Sequence, residues 1–222
     1  MSDIASNITI LRSELPSTVK LVAVSKTKPV QDIIKACSTG QMCFGENRVQ
    51  ELLNKKDHVP LNVEWHLIGH LQTNKVKYVV PFISMIQSVD SFKLISAINA
   101  EASKIERVVN CLLQIHIAEE ETKFGFSIDE IESIIENKGF DNLNYVRVCG
   151  VMGMATFTDN YNQVRKEFIS LRKYFEKLKT GYFDHDINFR EISMGMSGDY
   201  KIAIEEGSTM VRIGNLLFGD RI

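Results

Sequence analysis

Two periods alternate along the chain. Short runs rich in aliphatic and β-branched residues, "VKLVAVSK", "MCFGEN", "VEWHLIG", "SMIQSV", "VVNCLLQIHI", "YVRVCGVMGM", "FREISM" and "TMVRIG", are separated by longer segments with apolar positions at helical spacing. The helical segments include "VQDIIKACSTG", "SFKLISAINAEASKIE", "SIDEIESIIENKG" and "NYNQVRKEFISLRKYFEKLKTG", several of which reach glycine where a helix would stop. An amphipathic helix over residues 4 to 15 precedes the first strand. Strands that are apolar on both faces and separated by helices imply a parallel sheet covered on both sides. Eight such units predict an α/β fold, a closed (β/α)8 TIM barrel with an extra N-terminal helix, as one domain over residues 1–222. An open doubly wound sheet is the rival. No G-x-G-x-x-G follows the first strand and the glycine-rich segments come late, which favours the barrel.

Composition narrows the functional classes. The 222 residues are 44% hydrophobic and 24% charged, ordinary globular usage. A net charge of -2, from 26 basic and 28 acidic residues mixed along the chain, supplies no electrostatic footprint for nucleic acid or an anionic membrane. The N-terminus has an early acid and no basic flank, and the apolar window "YVVPFISMIQSV" is broken by Pro81, so a cytoplasmic protein is expected. The four cysteines, Cys37, Cys43, Cys111 and Cys149, are far apart with no C-x-x-C pair. They read as buried small hydrophobes rather than a disulfide or zinc framework.

In such a barrel functional groups sit where strands end. Those ends carry Lys26, Asn47, His66 to His70, the Met152 to Thr156 turn, Ser193 to Ser197, and Arg212 with Gly214. By strand alternation Lys26 shares a face with Val22 and Val24. Its amine either snorkels to solvent or, withdrawn from water, is held as a neutral nucleophile able to form a Schiff base with an aldehyde, from a substrate or from pyridoxal phosphate. Lys28 precedes Pro29 and is expected in the exposed loop. "SMGMSGDYKIAIEEG" places a glycine turn after strand seven, with Ser197 set to cap the next helix, and "VRIGN" places a second turn after strand eight. Each alone reads as a turn; together, in this order, they favour a phosphate site. Arg212 faces away from Val211 and Ile213 and is either in a structural ion pair or a donor to a cofactor's pyridine nitrogen. His66 and His70 are spaced i, i+4 on a strand and turn rather than a helix, which disfavours a metal pair. His66 then lines the barrel mouth or is a structural histidine, and Asn47 contacts a ligand or caps a helix.

"AVSKTKP", "FGENRVQE", "WHLIGHLQTNK", "MGMSGD" and "AIEEGSTMVRIG" closely resemble the pyridoxal-phosphate homeostasis protein family, single-domain relatives of the alanine racemase N-terminal barrel. The likeness runs from the first helix to Gly219. It implies an alanine-racemase N-terminal-domain-like barrel holding pyridoxal 5'-phosphate as a Schiff base on Lys26. Ser197, Gly214 and Asn215 would hold the phosphate, Arg212 would face the pyridine nitrogen, and Asn47, His66 and Met152 would surround the ring. Lys123, in "TKFGF", stands where the racemases carry an arginine near the cofactor's phenolic oxygen. Asn215 replaces the small hydroxyl residue or alanine common in relatives, so only a backbone contact carries over there. Racemases draw a second acid–base group, a tyrosine, from an added β-domain, and only eight residues follow Gly214. The resemblance therefore implies a monomeric cofactor carrier serving apo-enzymes, without catalytic turnover. A minimal racemase or lyase using Lys26 with His66 or Tyr200 is the alternative. A cofactor-free barrel aldolase is a third.

Overall fold

The computed structural model describes residues 3–119 and 124–219. In chain order the elements are α1 (Ile4–Glu14), β1 (Lys20–Val24), α2 (Val30–Cys37), β2 (Cys43–Glu46), α3 (Val49–Lys56), β3 (Glu64–Leu67), a 3-10 turn (Thr73–Lys75) leading into α4 (Val76–Val79), β4 (Met85–Val89), α5 (Phe92–Ser103), β5 (Val109–Gln114), α6 (Ile128–Glu136), β6 (Val146–Met152), α7 (Tyr161–Gly181), β7 (Glu191–Ser193), α8 (Tyr200–Glu205), β8 (Met210–Ile213) and α9 (Asn215–Phe218). The strands are parallel and close in sequence order, with β8 returning to β1 at Lys20↔Met210 through Ala23↔Ile213. This is the (β/α)8 barrel expected from the alternating periods, and every strand falls inside its apolar run.

Alternation sorts the strand residues into two cores. Val22, Cys43, Met85, Leu112, Cys149, Met152 and Met210 fill the lumen, while outward residues such as Leu21, Ala23, Phe44, Leu67 and Val211 join the larger core beneath the helices. On α7, Val164, Phe168, Leu171, Phe175 and Leu178 recur at three- and four-residue spacing and are buried, each contributing about 2 kcal/mol by removal from water. Helix α6 starts at a reciprocal capping box between Ser127 and Glu130. Its far end turns on Lys138, φ 58°, and not on the glycine that follows. Helix α1 lies against α2 and α9. All four cysteines are free and buried, as expected of small hydrophobes. Among the described residues no helix is long and apolar enough to cross a membrane.

Candidate functional site

The C-terminal ends of the strands surround a cavity of about 420 Å³, within the range of about 300–1,000 Å³ for small-molecule sites. Lys26, Asn47, Ser197, Arg212, Gly214 and Asn215 all line it.

Strand β1 stops at Val24, and Lys26 lies beyond it in a turn closed by the Lys28 N–H donating to the Ser25 carbonyl at 3.0 Å. Thr27, third in that turn, has φ 65°, a left-handed conformation costly for a β-branched residue. Lys26 is half-buried. Lys28 is half-buried too, contrary to the exposed position expected for it. Its Nζ donates to the Phe218 and Gly219 carbonyls at 3.0 Å each, a site at the C-terminal end of α9. Asn47 follows β2, and α3 begins after Arg48 with no side-chain cap, so the Asn47 amide is not spent as a helix cap. Its backbone is approached by Gly69, where a Cβ would come within 2.5 Å of the Asn47 carbonyl oxygen.

Arg212 points inward and is buried. Nη1 donates to Ser193 Oγ at 2.7 Å and Nη2 to the Gly153 carbonyl at 3.0 Å. Among the described residues no carboxylate pairs with it, so the structural ion pair is replaced by two neutral acceptors. Burial pulls its pKa down to about 10, opposed by the more distant charge of Asp199. It remains a guanidinium at neutral pH.

An arginine only donates, and this orients a polar chain down the barrel axis. Ser193 Oγ accepts from Arg212 and its hydroxyl donates to Gln87 Oε1 at 2.7 Å. Gln87 Nε2 then donates to His66 Nδ1 at 2.8 Å, which leaves the His66 proton on Nε2, 3.5 Å from Cys43 Sγ. Burial, with the Lys20 charge, pulls the His66 pKa down to about 3, so the ring is neutral. His66 therefore lies deep in the lumen and not at the mouth, and the cavity wall does not include it. Met152 is likewise fully buried in the lumen core and absent from the wall. Lys123 lies outside the described residues.

Cys43, Glu64 and His66 bring one ligand-type atom each within 4.8 Å of one another. The His66 Nε2 carries a proton, burial pushes the Cys43 thiol up to about 12, and Glu64 is paired with Lys20 at 2.5 Å. All three groups are committed to structural contacts.

At the other side of the cavity, Ser197 does not cap α8. That helix starts after Asp199, whose Oδ1 accepts the Met196 N–H at 2.5 Å. Ser197 Oγ instead accepts the Gly214 N–H at 3.4 Å, so the turns after β7 and β8 meet at one contact.

The β6–α7 loop, of which only the Met152 to Thr156 turn stood out in the sequence, supplies Thr156, Thr158 and Asp159 to the wall, and Tyr161, the first residue of α7, joins them. It is held by Glu167 of α7, buried, which accepts from the Thr156 N–H at 2.6 Å, the Thr156 hydroxyl at 2.7 Å and the Glu119 N–H at 3.3 Å. A glutamate directly before Phe168 on the buried face of α7 was the available signal. Tyr200, the other partner considered for a racemase, donates to Glu14 Oε2 at 2.7 Å and does not line the cavity.

The donor set is thus an amine, an amide, a buried guanidinium held only by neutral acceptors, and a hydroxyl at two abutting glycine turns. It suits a ligand with an electrophilic carbon, a ring acceptor and an anionic tail.

A family model described as alanine racemase, N-terminal domain, matches residues 1–222. The pyridoxal phosphate homeostasis protein of Pasteurella multocida is 40% identical over 210 residues, covering 92% of this chain and 88% of its own. That of Aquifex aeolicus is 39% identical over 203 residues, with coverages of 91% and 87%. The structure of PipY from Synechococcus elongatus, with PLP bound, superposes with a TM-score of 0.88 at 33% identity, covering 97% of this chain and all of that one. Alanine racemase of Clostridium difficile, at 16% identity and a TM-score of 0.78 over 99% of this chain and 60% of its own, shares the fold. The chain belongs to the pyridoxal phosphate homeostasis protein family, built on the alanine racemase N-terminal-domain fold.

Proposed function

We propose that the protein is a cytoplasmic, single-domain, monomeric carrier of pyridoxal 5'-phosphate that takes part in its homeostasis and passes it to apo-enzymes. The carrying observation is the convergence of Lys26, Arg212 and the Ser197–Gly214 contact on one cavity of about 420 Å³. Relatives named for pyridoxal phosphate homeostasis and the PLP-bound PipY support the same reading.

Bound, the cofactor brings an aldehyde, a pyridine nitrogen and a phosphate dianion. Lys26 supplies the amine for the aldehyde, and the turn that holds it keeps that amine at the rim. Arg212 would donate a hydrogen bond to the ring nitrogen and, staying charged, keep the proton itself, which would leave the ring a weak electron sink. Ser197 offers its hydroxyl, and Gly214 and Asn215 their backbone N–H groups, to the phosphate. Asn47 borders the ring. Neither His66 nor Tyr200 reaches the cavity, so the second proton-transfer group named for a racemase or lyase is not found at either position.

Visible absorbance with pyridoxal phosphate, followed by borohydride reduction and peptide mass analysis, tests this directly. The expected result is one cofactor mass on Lys26 and none in Lys26→Ala. Label on another lysine, or trapping of a triose in preference to the cofactor, refutes the reading. Sustained turnover or α-deuterium uptake with amino acids would restore the racemase alternative.

A further inference from the structure

Behind the cavity wall, on the helix-facing side of β1 and β2, lies a cluster that the binding site does not use. Where Lys26 and Asn47 point inward, Ser25 and Glu46 point outward by alternation. Ser25 Oγ donates to Glu46 Oε1 at 2.7 Å. Lys55 Nζ, from α3, donates to the same oxygen at 2.7 Å and to the Ser25 carbonyl at 2.9 Å, and lies 3.4 Å from Glu51 Oε2. That Glu51 oxygen accepts the Thr27 N–H at 3.0 Å. The residues on both sides of Lys26 are thus tied to one buried group.

The second oxygen of Glu46 is buried with no donor, and such an acceptor is costly when ionised. The Glu51 carboxyl lies against the same ammonium, its Oε2 3.4 Å from the Lys55 Nζ that also contacts Glu46 Oε1. A single proton between the two carboxyls satisfies both and leaves one negative charge against Lys55. Without it, two adjacent carboxylates face one ammonium.

We propose that Glu46, Glu51 and Lys55 are positioning residues that clamp the Ser25–Lys28 turn while one proton is shared between the two carboxyls, and that losing this proton loosens the seat of Lys26. The proposal rests on Lys26 being the anchoring amine. Burial, aided by Glu51 and opposed by Lys55 and Ser25, pushes Glu46 up to about 7. Glu51 moves below its usual value: burial opposes this, but its contacts to Glu46, the Thr27 N–H and Lys55 prevail. From α3, Glu46 faces Glu51 and Lys55, and from the turn it faces Ser25. Its register partner on β3 is the uncharged Leu67. Lys26 lies on the cavity side, and Lys28 is held by the Phe218 and Gly219 carbonyls.

Glu46→Gln is the informative variant. Its amide oxygen accepts from Ser25 and Lys55 while its NH2 donates to Glu51, which locks the closed arrangement at every pH. Two readouts are followed from pH 6 to 8.5: the Kd for pyridoxal phosphate by absorbance, and hydrogen-exchange protection of the Thr27 amide in the ligand-free protein. The ratio of wild-type to variant Kd is expected to rise by about 3- to 10-fold across an inflection near neutrality, with Thr27 protection in the wild type falling over the same range. A flat ratio together with flat protection overturns the clamp. If Glu46→Gln does not fold, Glu51→Gln replaces it: a shifted inflection supports the proposal and an unmoved one overturns it. If the wild type takes up no cofactor, the carrier reading fails, while Thr27 protection against pH still decides the clamp.

Discussion

The polar chain below Arg212 makes acid stability a test of where His66 sits. In the folded protein His66 has a pKa of about 3, lowered first by burial and then by the Lys20 charge; unfolded, the ring returns to about 6.5. A depressed folded pKa means stability that is present above the unfolded value and lost as the pH falls toward the folded one. At pH 5 the unfolded ring lies 1.5 units below its pKa and is almost fully protonated, whereas the buried ring is still neutral. The lost stability is about 2 kcal/mol relative to pH 7.5, rising to about 4 kcal/mol near pH 3. Other groups titrate too, and Glu46, with its pKa raised to about 7, acts in the opposite sense between about pH 4.5 and 7. The His66 contribution is therefore read as a difference. His66→Gln keeps an acceptor for the Gln87 amide and removes the titration. Urea unfolding of both proteins at pH 7.5, 6.5, 5.5 and 5 should show the gap between them narrowing by about 2 kcal/mol as the pH falls. A gap that stays constant, or an imidazole that titrates near 6 by NMR in the folded protein, would refute the buried Nε2–H tautomer and with it the polarity of the chain from Arg212.

Three further substitutions probe the frame around the cavity. Gly150, at φ 145°, would place a Cβ 1.9 Å from the Glu191 carbonyl oxygen, so Gly150→Ala should cost about 3 kcal/mol or more in urea unfolding; a wild-type midpoint would contradict that close approach. Thr27→Gly relieves a left-handed β-branched residue and should stabilise the protein by about 0.5–1 kcal/mol net of the glycine entropy, and a loss exceeding about 1 kcal/mol would mean the turn gains more from the side chain than its backbone angle costs. Glu167→Gln turns an NH2 toward donors from Thr156 and Glu119 and should cost about 2 kcal/mol; a cost under about 0.5 kcal/mol in chemical denaturation would show that the loop is held elsewhere.

What the sequence reveals, and what it hides, follows from which physical quantity each residue reports. The barrel was legible because burial on both strand faces and the 3.6-residue period of α7 are local properties, repeated often enough to survive boundary errors. Lys26 and Arg212 were legible for the same reason: alternation from Val22 and Val211 assigns each to a face. Alternation does not assign depth. His66 and Met152 share the inward face with residues that line the cavity, yet both lie in the lumen, because height along the barrel axis depends on the stagger between neighbouring strands, here Gly45↔His66 and His66↔Met85. Ser197 misled in a related way: its hydroxyl suggested a cap, but the helix begins later and Gly214 claims the oxygen. Nothing in the sequence separates Lys55 and Glu51 from solvated charges on a helix, since four-residue spacing is common on exposed faces. Only the closure of α3 over the ends of β1 and β2 buries Lys55 against Glu46. Cavity-lining residues such as Lys26, Asn47, Ser197 and Arg212 were therefore recoverable from strand ends, whereas the groups behind them, such as Glu46, Lys55 and Glu167, depend on packing between elements distant in sequence and emerge only once the barrel is closed.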